Sequence, residues 1–153
     1  MIDPDDISFL RPGQMPEKVQ EYCKKTGQSV PQTFGEISRV ILESLAFKYR
    51  WTMDNLSKAT GRNFKALHIV GGGSKNIMLN QFTANALNIP VITGPKEATA
   101  IGNIMVQVMA LGEVKDISEI RAVVKNSFPT EDFYPQDNAV WQDAYSSFLK
   151  ILT

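Results

Sequence analysis

His68-Ile69-Val70-Gly71-Gly72-Gly73-Ser74-Lys75-Asn76 is the densest chemical signal in the chain. The run Ala66-Leu67-His68-Ile69-Val70 is short, apolar and ended by glycine, which predicts a buried strand. Residues 76–88 read as a helix, with Ile77, Leu79, Phe82, Ala86 and Leu87 as expected buried positions. Glycine permits positive φ and puts no side chain between the backbone and a ligand. The open N–H groups at the start of a helix favour a phosphate or another anion. In open α/β sheets, ligands sit outside the carboxyl ends of the strands, where this turn lies. A tight turn that packs helix on strand would also use glycine, but three in succession favour a ligand.

The turn fits neither common phosphate loop. A Gly-x-Gly-x-x-Gly fingerprint would need glycine where Asn76 stands, and the Gly-Lys-Ser/Thr of a P-loop is absent. Asn76 has two readings. Its amide both donates and accepts, which suits an adenine edge, and asparagine also caps helices.

Pro90-Val91-Ile92-Thr93 predicts a second strand, closed by Gly94-Pro95, and a helix follows from Glu97 to Leu111, ended by Gly112. Upstream, Thr33 and Glu36 have capping-box spacing. They open a long helix whose apolar stripe is Ile37, Val40, Ile41, Leu45, Tyr49, Met53 and Leu56, with Gly61 closing it. Pro16 to Thr26 reads as a shorter helix. Alternation of helix and strand with short turns implies α/β architecture with parallel strands. Residues 1–16, with prolines at 4, 12 and 16, read as a connector, 17–112 as the core, and 113–153 as a C-terminal helical extension. Two parallel strands are too few for a complete layer. Either further strands hide in the irregular segments or the chain is part of a longer one.

The composition narrows the function classes. The 16 basic residues balance 16 acidic ones, which disfavours a nucleic-acid surface, since that needs clustered positive charge. No apolar run approaches the ~20 residues of a membrane span, and the N-terminus lacks the profile of a signal peptide. The single Cys23 precludes an internal disulfide framework or a cysteine-rich zinc site and fits a cytoplasmic setting. The lone His68 reads as structural.

Residues 68–107, HIVGGGSKNIMLNQFTANALNIPVITGPKEATAIGNIMVQ, resemble the C-terminal ATPase subdomain of the FGGY carbohydrate kinases, most of all their rhamnulokinase branch. Residues 9–50 also look like the segment before the ATP site in that branch. The resemblance implies an actin-like, ribonuclease H-like domain, with ATP, used with Mg²⁺, held between two such domains. It implies a site in which Gly72 lies against the nucleotide, Gly71 and Gly73 shape the turn with Ser74 beside them, and Asn76 faces adenine. Gly73 is alanine in some relatives. The family's Asp-x-Gly-Thr loop, catalytic aspartate and N-terminal sugar-binding domain are absent from these residues. The reading is therefore the ATP-binding part of a kinase for L-rhamnulose or a similar sugar, the chain alone being inactive. Kinases for xylulose, fuculose or gluconate stay open, as does a non-catalytic nucleotide-binding or regulatory module. Without its opening hairpins the sheet should expose an edge able to self-associate.

Overall fold

The computed structural model describes residues 1–152; Thr153, the end of the expected extension, lies outside them. Helices α1 (Met15–Lys25) and α2 (Phe34–Thr60) precede strand β1 (Leu67–Ile69). Then come α3 (Ile77–Leu87), β2 (Val91–Thr93), α4 (Ala98–Ala110), α5 (Ile117–Ser127), β3 (Glu131–Phe133) and α6 (Asn138–Leu149). The capping box of α2 forms as its spacing predicts. Thr33 Oγ1 accepts from Glu36 N–H at 3.2 Å, and Glu36 Oε2 accepts from Thr33 N–H at 2.9 Å and Gln32 N–H at 2.6 Å. Gly61, at φ +67°, ends the helix in the left-handed region.

Strands β1 and β2 are parallel, with Leu67 opposite Val91 and Ile69 opposite Thr93. One expectation needs correction: the segment 113–153 is not wholly helical. Its residues Glu131–Phe133 form β3, antiparallel to β2, with Phe133 opposite Val91. The alternation in Glu-Asp-Phe is too short to register as a strand, and burial of Phe133 against Val91 and Ala84 supplies the reason it pairs. The sheet order is β1-β2-β3, so among the described residues the far edge of β1 is unpaired.

Helix α3 joins the layers. One side meets the sheet through Ala84; another joins α2 and α6 in an aromatic core of Phe47, Trp141, Tyr145 and Phe148. Tyr145 Oη donates to Asp54 Oδ2 at 2.8 Å, and Arg50 lies over the Tyr145 ring at 3.9 Å. The buried side of α2 therefore turns to Ser44, Ala46 and Phe47 in mid-helix, and the expected stripe members Tyr49 and Leu56 are exposed.

Residues 1–16 also need correction, because the first six pack. Ile2 is buried with Val19, Cys23 and Ile37. Its N–H donates to Ser44 Oγ at 2.9 Å, and Lys48 bridges Asp3 and Asp5. An apolar anchor ringed by ion pairs fixes the segment on α2 despite its prolines. Helices α4 and α5 contain no buried residue, and Ile104, Val106 and Ile117 are more than half exposed. No helix among the described residues is long and apolar enough to cross a membrane.

Candidate nucleotide-binding turn

The two strand ends are stitched together just past the sheet. Gly94 N–H donates to Ile69 C=O at 2.8 Å, and Gly71 N–H donates to Pro95 C=O at 3.0 Å. A Cβ on Gly94 would stand 2.8 Å from Val70 Cγ1, so glycine there spares Val70 a forced shift. Gly71 needs to be glycine for another reason, its φ of +77°. Residues Gly71–Lys75 then coil into one 3₁₀ segment. The Ser74 hydroxyl donates to Gly71 C=O at 2.7 Å and closes the coil from within.

The remaining two glycines differ from these. Gly73 has ordinary φ, and an added Cβ would meet Ile69 Cγ2 at a comfortable 3.7 Å. Of the two residues expected to shape the turn, only Gly71 is required by its backbone. Gly72 has no positive φ, a Cβ added to it would meet no atom within 4 Å, and it is exposed. Nothing in the fold demands that it be bare.

Asn76 caps α3: its Oδ1 accepts from Leu79 N–H at 3.0 Å. The residue is exposed, and its side-chain NH₂ has no protein partner among the described residues. The cap and an outward donor coexist in one amide. Ser74 is buried and turned inward, so its hydroxyl serves the turn.

A cavity of about 320 Å³ lies beside the turn, lined by Ser74, Thr93, Lys96, Glu97, Phe128 and Glu131. The three glycines do not line it; their open face is the free surface of the chain. His68, expected inside the strand as a structural residue, is exposed on the other side of the sheet, in register with Ile92 and Asp132. Among the described residues no cluster of three or more His, Cys, Asp or Glu side chains converges to hold a metal.

The sequence reading missed Asn80. It is fully buried on α3, and its Nδ2 donates to Ser74 C=O at 3.0 Å. An asparagine in a helix interior was the available signal, since the residue is costly there without a side-chain role.

The profile of the C-terminal domain of the FGGY family of carbohydrate kinases matches residues 1–111. This chain belongs to that family. It is 49% identical over 148 residues to a rhamnulokinase of Bacteroides thetaiotaomicron, covering 97% of this chain and 30% of that protein. It is 43% identical to a rhamnulokinase of Enterococcus faecalis, covering 97% and 31%. The chain thus spans less than a third of the length of these relatives. Two solved structures share the fold. Xylulose kinase from Rhodospirillum rubrum has a TM-score of 0.64 at 22% identity, covering 82% of this chain and 25% of its own. Plasmodium falciparum glycerol kinase with ADP has a TM-score of 0.65 at 21% identity, covering 80% and 25%.

Proposed function

We propose that this chain forms one wall of the ATP site in a kinase that phosphorylates L-rhamnulose or a similar sugar. The observation that carries the reading is Gly72, a bare, exposed residue whose glycine serves neither backbone conformation nor packing. A nucleotide lying flat on the backbone is a reason for it. Gly71 and Ser74 hold the coil beneath, and the free NH₂ of Asn76 offers a donor to a ring nitrogen of adenine. The rhamnulokinase relatives at 43% and 49% identity favour L-rhamnulose over xylulose, fuculose or gluconate.

In this role the chain binds and orients. Phosphoryl transfer needs a positioned hydroxyl, a base and neutralisation of the γ-phosphate, and this sequence has no Asp-x-Gly-Thr loop to contribute to them. Among the described residues no three carboxylate, His or Cys side chains converge, so no step is assigned to a metal here. The wall is open, because its cavity side is separate from its glycine side, and a facing domain is required to close it. The unpaired edge of β1 is a surface for self-association when nothing covers it. A reducing cytoplasm, where ATP is supplied, suits the buried thiol of Cys23.

The test is a sugar panel assayed with ATP, using this chain alone and using a polypeptide that carries it in the full length of its relatives. L-rhamnulose phosphorylation by the long form and none by the short one is expected. Turnover by the 153-residue chain would refute the division of labour. ATP binding without any sugar turnover by the long form would turn the reading to a non-catalytic nucleotide-binding module.

A further inference from the structure

Asn80 is an expensive residue for its place. Its side chain is fully buried, Nδ2 donates to Ser74 C=O, and Oδ1 is a buried oxygen with no hydrogen-bond partner. A buried acceptor left without a donor costs stability, so packing alone gives no reason to keep an amide here. The other buried polar groups of α3 have partners of their own. Thr83 Oγ1 donates to Leu79 C=O at 2.7 Å. Asn85 Oδ1 accepts from Gln81 Nε2 at 2.8 Å and from Gln136 N–H at 2.9 Å, which ties the segment after β3 to the helix. Asn80 alone reaches back out of the helix to the glycine coil.

We infer that Asn80 is a positioning residue for the nucleotide turn. Its Nδ2 clamps the Ser74 carbonyl while the Ser74 hydroxyl clamps the Gly71 carbonyl, so two hydrogen bonds in series tie Gly71–Lys75 to the rigid body of α3. The exposed face of Gly72 and the Asn76 amide are then presented at a fixed height above the helix. The inference rests on the nucleotide reading above. It adds a residue that touches no ligand and acts through the coil.

Asn80→Leu separates this role from a merely structural one. It removes the unpaired Oδ1 and unpairs Ser74 C=O, exchanging one orphan acceptor for another, so the melting temperature should move little. Amide hydrogen exchange of Gly72, Gly73 and Ser74 should accelerate. The ATP dissociation constant, from an NMR titration, should weaken about tenfold, the order expected when the bond that orients a binding surface is lost. Asn80→Met likewise lacks the Nδ2 donor, buries no charge, and should behave the same way. A large drop in melting temperature with unchanged ATP affinity would overturn the inference. So would unchanged exchange at the coil in both variants. In the unmodified chain the Asn80 side-chain NH₂ protons should exchange slowly, and rapid exchange there overturns the clamp without any variant. Failure of the unmodified chain to bind ATP would sink the nucleotide reading instead, and the exchange data would still report whether the clamp exists.

Discussion

Alanine substitution at the four glycines of the stitched turn should give four different results. Gly71→Ala forces a Cβ into φ +77°, which costs about 1–2 kcal/mol. Gly94→Ala places its Cβ 2.8 Å from Val70 Cγ1. Because Val70 is 56% exposed, it can swing aside, and the cost falls at the low end of overpacking, about 1 kcal/mol. Adding Val70→Ala to Gly94→Ala should recover most of that loss. Gly73→Ala meets only an ordinary contact and should be near neutral. Gly72→Ala meets nothing and should be neutral or stabilising by about 0.5 kcal/mol, through the lost freedom of the unfolded chain. Urea denaturation at constant m-value measures all of these variants. If Gly72→Ala destabilises as much as Gly71→Ala, then Gly72 is glycine for the fold, and the reasoning that reserves it for a ligand is refuted.

Other outcomes follow from the same geometry. Thr33→Ala removes the cap of α2 and should cost about 1 kcal/mol by denaturant titration. Phe148→Ala empties the centre of the aromatic cluster, where Phe148 is fully buried, and should cost about 3–5 kcal/mol. The backbone N–H groups of Thr33 and Gln32 hold the Glu36 carboxyl below its ordinary value. That contribution is present above the unfolded value of about 4.3 and is lost as pH falls through the lowered one. Glu36→Gln should flatten this acid limb of the stability–pH curve. At the alkaline end burial, reinforced by Asp54, raises the Tyr145 hydroxyl. Its contribution is intact below the unfolded value of about 10 and fades as pH rises beyond it, and Tyr145→Phe should remove that fading. Sedimentation velocity should show concentration-dependent association of the chain through the free edge of β1; a clean monomer at high concentration would count against it.

The parts of the fold set by local rules were readable from sequence. The Thr33–Glu36 spacing, Gly61 and the apolar runs before Gly71 and Gly94 each specify an element through chemistry confined to a few neighbours. The parts that were not readable depend on distant partners. Glu131–Phe133 is a strand because Val91 is beside it, and Ile2 is buried because Val19 and Ile37 form a pocket for it. The stripe of α2 departs from its pattern at Tyr49 and Leu56, since the helix turns its buried side toward α6, whose position no local pattern encodes. At the site, the glycine run raised the expectation of a ligand surface, but all three glycines looked alike. Only backbone angles and neighbours distinguish Gly71, which the turn requires, from Gly72, which it does not. Asn76 had two readings and the structure accommodates both, with Oδ1 in the cap and NH₂ facing out.

The most direct test of the account is an ATP titration of the ¹⁵N-labelled chain followed by amide chemical shifts. Saturable shifts centred on Gly71–Asn76, including the Asn76 side-chain NH₂, with His68 and Asp132 unmoved, are the predicted result. Shifts confined to the opposite sheet face, or none at ATP concentrations in the millimolar range of weak sites, would contradict it.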